Sequence, residues 1–168
     1  MSNLKTLRVP SVRVARFSDT KALVALFKEA HSEFGTAPFC PETTRNTIQR
    51  AVNQRNAGIF ALTDNGEIVG ALIAVMNQLW YSKARQIADI IFYVRPSSRG
   101  HGNKLLTAYL GWAREQRNVG EVMLGITSGS DTEGRIDALL KHFSMMPVGA
   151  NYRLTEVEQD VECAQENR

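Results

Sequence analysis

The fold is decided by one stretch of sequence, residues 87–114, which reads IADIIFYVRPSSRGHGNKLLTAYLGWAR. Its first third is rich in β-branched and aromatic residues, which is typical of a buried strand. Its last part places apolar residues at helical spacing, which predicts a helix. Between them, Gly100 and Gly102 let the backbone fold tightly and approach a ligand closely. Because N–H groups at a helix start attract anions, this turn indicates a phosphate site, although a capped turn with solvated basic residues has the same pattern.

Strand and helix patterns surround this unit on both sides. Apolar alternation near Val12 predicts a first strand, and two helices follow it. Asp64-Asn65-Gly66 predicts the turn of a hairpin. The predicted order is strand, two helices, three strands, helix, strand, helix and strand, with the strands near 12–17, 59–62, 68–75, 87–94, 122–126 and 152–157. This order predicts one α/β layer structure.

Composition and charge fit one soluble domain. The chain has 168 residues, of which 43% are apolar, and a formal net charge of +3. We expect the domain over residues 1–157 and an acidic, solvated tail over 158–168. No apolar run reaches the roughly 18 residues of a membrane-spanning helix. The mildly basic body suits a small anionic ligand, but it lacks the clustered lysines and arginines that favour nucleic-acid binding.

The two cysteines, Cys40 and Cys163, are too few for a disulfide framework or a structural zinc site. We therefore expect two unpaired thiols and no metal. Unpaired thiols are typical of a reducing compartment, so the expected location is cytoplasmic. The first residues also lack the apolar core of a secretory signal.

The order of these motifs resembles that of the GNAT family of N-acetyltransferases, from about Val12 to Val157. The hairpin DNGEIVG at 64–70 is similar to the family's central turn, and YVRP at 93–96 and RGHG at 99–102 precede an amphipathic helix, as in the family. The spacing from Trp80 to these segments also resembles that of phage-encoded members. The resemblance implies a single-domain fold with a mixed, mostly antiparallel sheet and helices on both faces.

Acetyl-CoA, or a related acyl-CoA, is the co-substrate that the resemblance implies. Its pantetheine arm would lie along Phe92, Tyr93 and Val94 and pair with their backbone groups as a neighbouring strand would. Its pyrophosphate would contact the turn and the first helical residues, which are Arg99, Gly100, His101, Gly102, Asn103 and Lys104. Family members transfer the acetyl group directly to a bound amine, so the acceptor is expected to be a small-molecule amine, a protein lysine or a protein N-terminus.

The resemblance also suggests which side chains act on the acceptor. An amine with a pKa of about 10.4 is cationic at neutral pH and must lose a proton before it attacks. Asp89 falls near the position of a carboxylate base in many family members, and its alternative role is an ion pair with Arg85. Glu33, at the end of the first helix, is a second candidate near the acceptor; its alternative is a solvated acid at a helix end.

Exposed aromatic residues are expected beside the acceptor groove. Phe34, Trp80 and Tyr81 lie in segments that flank this groove in the GNAT fold, so we expect them to bind substrate. Their alternative role is to cover the domain as loop hydrophobics.

Two positions depart from the family pattern. Leu140 stands where the general-acid tyrosine is expected, and a leucine has no proton to give. Tyr152 would substitute for it if the last strand brings it to the cleft; its alternative is a half-buried strand tyrosine. Lys104 stands where a small residue belongs when Arg99 begins the phosphate motif. When Ser97 begins it instead, Gly100 and Gly102 fit, but the first residue is not the family's Gln or Arg.

Three functions follow from these observations. The expected one is an N-acetyltransferase that joins acetyl-CoA and a primary amine in a ternary complex. The first alternative is a binding protein on the same scaffold, with little or no catalysis, that contacts a partner protein through its exposed aromatic residues. The second is a nucleic-acid-directed acyltransferase, which the basic body favours. Family members often form homodimers, so a second copy is a further expected partner.

Overall fold

The computed structural model of the protein describes residues 9–125 and 134–149. The strands are β1 (Ser11–Val14), β2 (Ala57–Asp64), β3 (Glu67–Gln78), β4 (Arg85–Val94) and β5 (Val119–Val122). The helices are α1 (Thr20–Phe34), α2 (Pro41–Asn53), α3 (Gly102–Glu115) and α4 (Arg135–His142), with short 3-10 helices at Phe17–Asp19 and Pro96–His101. No helix among these residues is long and apolar enough to cross a membrane.

The five strands form one sheet in the order β1-β2-β3-β4-β5. Strands β1 to β4 pair antiparallel in succession, and β5 pairs parallel with β4. At the tip of the β2–β3 hairpin, Asn65 and Gly66 both have positive φ, which is the backbone that a two-residue hairpin turn requires. The predicted mixed, mostly antiparallel sheet is confirmed.

Helices cover both faces of the sheet, as predicted, because the strands alternate their apolar side chains. On β2, Ile59 and Ala61 point into one buried cluster, with α1 and α2, and Phe60 and Leu62 point into another, with α3. The first cluster includes Leu23, Leu26, Phe27, Ile48, Ile73 and Tyr93. The second includes Leu72, Ile87, Leu105, Leu106, Tyr109 and Leu110. β4 contributes to both clusters, with Ile91 and Tyr93 in the first and Ile87, Phe92 and Val94 in the second.

The strand expected over 122–126 is displaced toward the N-terminus. It lies over Val119–Val122, and only Met123 adds a further hydrogen bond of 2.7 Å, from its N–H to the Ile87 carbonyl. The apolar run indicated an element, but its pairing with β4 fixes the register, and that pairing is not visible in the local sequence. The strand expected over 152–157, Tyr152 and the tail 158–168 lie outside the described residues.

Cys40 is disulfide-bonded, so the prediction of two unpaired thiols is wrong. It precedes α2 as the N-cap residue, and the Thr43 hydroxyl donates a hydrogen bond of 3.3 Å to its Sγ. A cysteine count does not show which thiols a fold brings within bonding distance. The expected reducing location therefore loses the observation on which it rested. Cys163 lies outside the described residues.

Candidate functional site

β4 and β5 separate halfway along β4, which leaves part of the β4 edge without a strand partner. The parallel pairing covers only Arg85 to Ile87, and the Met123 hydrogen bond ends it. On its other edge β4 stays paired with β3 as far as Val94. Within residues 9–125 and 134–149, Ile91 to Val94 therefore present one edge of backbone donors and acceptors to an open gap.

A β-bulge lies in β4 where this gap begins. Ile73 pairs with Ile91 and Ala74 pairs with Asp89, so Ile90 is the extra residue. The Ile90 side chain is 51% exposed. A bulge bends its strand and redirects the neighbouring side chains, and bulges are frequent beside active sites for that reason.

Asp89 bridges the two strands at the beginning of the gap. Its Oδ1 accepts a hydrogen bond of 2.7 Å from the N–H of Gly125, in the chain that leaves β5. Burial raises the pKa of Asp89 above its usual range, and the hydrogen bond from Gly125 acts in the opposite direction. The alternative of an ion pair with Arg85 is not what the structure contains, because the Arg85 guanidinium donates to the Arg117 carbonyl. A carboxyl group with a raised pKa beside an open gap is suited to accept a proton.

Tyr109 of α3 contacts the place where the pairing of β4 and β5 ends. Its side chain is fully buried, and its hydroxyl donates to the Met123 carbonyl at 2.5 Å and lies 3.4 Å from the Ile87 carbonyl. Burial raises the pKa of Tyr109, and the charge of Asp89 adds to this effect. The apolar spacing of residues 105–113 predicted a buried helix face but did not indicate a role for the Tyr109 hydroxyl. The signal was a tyrosine instead of a phenylalanine on a buried helix face, because a buried hydroxyl needs a partner.

The predicted phosphate turn is the 3-10 helix Pro96–His101, which leads directly into α3. A Cβ built at Gly100 would meet no atom within 4 Å, so the outer side of the turn is open. Gly102 is buried, and a Cβ there would lie 3.4 Å from the Phe92 ring. Neither glycine has a positive φ. Glycine therefore provides room at this turn and not a left-handed backbone. Beside Gly102, His101 is half-buried and Asn103 is exposed.

Both predicted cationic contacts for phosphate have protein partners. The Arg99 guanidinium donates to Glu33 at 2.5 Å, and the Lys104 ammonium donates to the Pro10 carbonyl at 2.5 Å. Lys104 thus ties the beginning of α3 to the chain that enters β1. Both side chains of the Arg99–Glu33 pair are more than a third exposed, so a phosphate can replace this carboxylate at low cost.

Glu33 stands at the centre of a polar network. Besides Arg99, it accepts a hydrogen bond of 2.6 Å from the Tyr93 hydroxyl. Burial and this hydrogen bond raise the pKa of Tyr93 to about 12. One turn earlier on α1, Glu29 accepts two hydrogen bonds of 2.7 and 2.8 Å from Arg95, which hold the pKa of Glu29 below its usual range. Two ion pairs therefore fasten α1 to the segment between β4 and α3.

A pocket of about 270 Å³ lies on the opposite face of β4, between α1, α2 and the bulge. Its apolar walls are Phe27, Phe34, Phe39, Ile73, Ile90 and Ile91. Phe34, predicted to contact substrate, lines this pocket, and its ring centroid is 6.3 Å from that of Tyr93. The α1–α2 connection borders the pocket, and Nε2 of the His31 ring donates a hydrogen bond of 2.6 Å to the Ala37 carbonyl there.

Trp80 and Tyr81 lie at the other end of β4, in its connection from β3. Trp80 is 94% exposed, and the two rings pack edge to face with centroids 5.3 Å apart. The Tyr81 hydroxyl donates to Glu121 at 2.6 Å. The strand from Arg85 to Asp89 spans about 13 Å at roughly 3.3 Å per residue. These two aromatic residues thus contact each other and, through Tyr81, Glu121, beside the beginning of β4, whereas Asp89 lies further along the strand.

Leu140, at the expected general-acid position, is half-buried on α4 and packs against the apolar cluster of α3. It lines a second, larger cavity together with Gly125 and Leu124. Among the residues that the structure describes, no group of three or more His, Cys, Asp or Glu side chains is placed to hold a metal ion.

Comparisons with known proteins agree with this geometry. Residues 22–135 match the model of the acetyltransferase (GNAT) family. The fold is similar to a predicted acetyltransferase from Clostridium acetobutylicum solved with acetyl-CoA (TM-score 0.68, 18% identity, 88% of this chain and 96% of that chain). It is also similar to a ribosomal-protein-alanine N-acetyltransferase from Brucella melitensis (TM-score 0.66, 14% identity, 89% of this chain and 100% of that chain). A third similar structure is an aminoglycoside acetyltransferase from an uncultured soil metagenomic sample, in complex with sisomicin (TM-score 0.58, 20% identity, 91% of this chain and 97% of that chain). No curated protein matches the chain.

Proposed function

We propose, from the premise that this chain belongs to the acetyltransferase (GNAT) family, that it transfers the acetyl group of acetyl-CoA to a primary amine in a ternary complex. Membership makes the protein an N-acetyltransferase by family, with acetyl-CoA as its co-substrate. The finer points, which are the residues that bind acetyl-CoA, the proton acceptor and the class of amine, are argued below.

The observation that carries the proposal is the unpaired edge of β4 beside the open turn. Phe92, Tyr93 and Val94 stay paired with β3 and have no strand on the other side within the described part of the chain. An extended pantetheine arm carries amide groups, and it can pair with this edge as an added strand does. The gap that β5 leaves after Ile87 provides the space for it.

The turn between β4 and α3 is suited to the pyrophosphate. The free side of Gly100 lets a phosphate approach the backbone N–H groups that precede α3. Gly102, Asn103 and His101 complete the turn, and the guanidinium of Arg99 would exchange Glu33 for a phosphate oxygen. Lys104 contributes positive charge near the helix start, although its ammonium already donates to a carbonyl.

In the proposed reaction the neutral amine nitrogen attacks the thioester carbonyl carbon. A C–N bond forms, the C–S bond breaks, and CoA leaves as the thiolate. The amine proton passes to the Asp89 carboxylate, directly or through a water molecule. A backbone N–H near Val94 would stabilise the oxygen on which negative charge develops. Tyr152 or water would protonate the thiolate.

Calorimetric titration with acetyl-CoA tests the proposal. We expect micromolar affinity, about −8 kcal/mol, and at least a tenfold loss in Gly100→Trp, whose indole would cover the open side of the turn. Gly111→Trp is the matched control, because a Cβ at Gly111, on the helix α3 that follows the turn, also meets no atom within 4 Å. Equal affinity in a folded Gly100→Trp variant would show that the phosphate binds elsewhere. No binding by the wild-type protein at millimolar acetyl-CoA would refute the function.

A second candidate is a protein on this scaffold that binds acetyl-CoA or a partner with little turnover. It is favoured by Leu140, whose apolar packing leaves no hydroxyl at the general-acid position. The two functions differ in one measurement: the second predicts acetyl-CoA binding without amine-dependent release of CoA for any amine tested.

A further inference from the structure

The pocket between α1, α2 and the bulge of β4 is built for an apolar group of limited size. Its volume of about 270 Å³ is just below the range of about 300–1,000 Å³ that drug-sized ligands occupy. Aromatic and branched aliphatic side chains form most of its wall, and Thr43, Thr44 and Thr47 of α2 form the rest with His31 and Gly35. A single ring or a short branched alkyl group fits such a space.

The charges around the pocket argue against a polycationic ligand. None of the described residues that line it is Asp, Glu, Lys or Arg. Glu33 immediately precedes the lining residue Phe34, but its carboxylate accepts hydrogen bonds from Arg99 and Tyr93. Glu29 is bound by Arg95 through two hydrogen bonds. An ammonium group that entered the pocket would lose water without gaining a carboxylate partner, which is unfavourable.

The position of the pocket connects it to the reacting groups. Ile90 and Ile91 line it; Ile90 follows Asp89 directly in the strand, and Ile91 is the first residue of the free edge of β4. Ile90 is half exposed, so the pocket opens beside the bulge. A ligand that buries an apolar group here therefore keeps its polar end at the bulge, next to the strand on which we place acetyl-CoA.

We infer that this pocket binds the apolar side group of the acceptor, which is a primary amine with one aromatic ring or a compact alkyl group. The inference rests on the proposed function and adds the substrate class to it. Amines with several positive charges and no apolar group are poor acceptors for the same reason.

Acetyl transfer to two primary amines, phenethylamine and spermidine, tests this inference through the release of CoA. We expect kcat/KM to be at least tenfold higher for phenethylamine. Thr47→Phe would fill the pocket from α2 and raise the KM for phenethylamine at least tenfold. Asn46→Phe is the matched control, because Asn46 is the exposed neighbour on the same helix, outside the pocket lining. Neither variant changes the affinity for acetyl-CoA.

Equal or better transfer to spermidine would overturn the inference, as would an unchanged KM in a folded Thr47→Phe variant. If that variant does not fold, Ile90→Asn at the exposed mouth of the pocket serves instead, with the same expected rise in KM. If acetyl-CoA binds but no amine reacts, saturation-transfer NMR of phenethylamine with the CoA-loaded protein decides, and the absence of a signal overturns the inference. Loss of acetyl-CoA binding in the wild-type protein is a separate result, which refutes the proposed function itself.

Discussion

Asp89 and Gly125 are joined by a hydrogen bond of 2.7 Å across the point where β4 and β5 separate. The bond uses Oδ1 of the carboxyl group, and the burial that accompanies it raises the pKa of Asp89. The same side chain thus fixes the end of β5 and stands at the entrance to the gap. A structural role and a role as proton acceptor are therefore both consistent with this position, and they predict different outcomes for one substitution.

Asp89→Asn separates the two roles, because an amide oxygen still accepts the hydrogen bond from Gly125 but cannot take a proton. We expect kcat to fall about 100-fold, the lower range for general acid–base catalysis, with little change in cofactor affinity. In the wild-type enzyme, kcat falls as the pH falls through the raised pKa of Asp89, and this limb is absent from the variant. A wild-type pH profile of kcat in Asp89→Asn would leave Asp89 with the structural role alone.

The stability of the protein gives an independent readout of the same carboxyl group. Because the pKa of Asp89 is raised on folding, its contribution to stability is fully present below the pKa of the unfolded chain and is lost as the pH rises through the folded pKa. Asp89→Asn removes this loss. We expect the Tm of the variant, relative to that of the wild type, to rise from acidic to neutral pH.

A substitution of Tyr109 tests whether its hydroxyl on α3 stabilises the end of β5, where β5 separates from β4. Tyr109→Phe leaves the Met123 carbonyl without its 2.5 Å hydrogen bond inside the core, which should lower the free energy of unfolding by about 1–3 kcal/mol. Urea unfolding measures it. Tyr81→Phe is the control, since its hydroxyl bonds Glu121 at the surface, where water replaces the lost partner, and its cost should be clearly smaller. Equal costs for the two variants would contradict a supporting role of the Tyr109 hydroxyl.

Local sequence predicted the elements that depend on local physics. The Asn65-Gly66 turn was predictable because those residue types tolerate positive φ, and the strand over 87–94 because its residues suit a buried sheet. The bulge at Ile90 carries no such signal, since two adjacent isoleucines also suit a regular strand. It arises from the pairing of β4 with β3, which joins residues far apart in the chain.

The turn before α3 was predictable for the same reason, from its glycines and its place between strand and helix. The binding of phosphate by Arg99 to Lys104 stays a prediction. The partner of Arg99 was not found, because Glu33 lies 66 residues away. The pocket on the α1–α2 face was equally hidden, since its walls come from α1, α2, β3 and β4, and no local pattern relates them.

Glu33→Gln tests the exchange of Arg99 between Glu33 and phosphate. The substitution removes the negative partner of Arg99 and keeps an acceptor for the Tyr93 hydroxyl. Since an exposed ion pair is worth about 0.2–1 kcal/mol, we expect acetyl-CoA to bind up to about fivefold more tightly. The pKa of Tyr93 should also fall below about 12, although burial, its main cause, remains. Calorimetry and near-ultraviolet titration measure the two effects.

Glu29→Gln is the matched control for this effect, because it breaks the neighbouring pair with Arg95 and leaves Arg99 bound to Glu33. We expect no change in its affinity for acetyl-CoA. Weaker binding by Glu33→Gln would mean that Glu33 orients Arg99 toward the phosphate, which is the opposite of competition.

Gly35→Ala tests the loop that borders the pocket. The backbone at Gly35 is extended and ordinary, but a Cβ there would lie 2.1 Å from Cδ2 of His31, so the ring must turn away and lose its bond with the Ala37 carbonyl. We expect a loss of about 1 kcal/mol in unfolding free energy and a higher KM for the amine, with acetyl-CoA affinity unchanged. Gly111→Ala, in open space on α3, should instead be neutral or stabilising. If the ring is the cause, Gly35→Ala costs nothing further in a His31→Ala background, and an undiminished cost there would place the strain in the backbone.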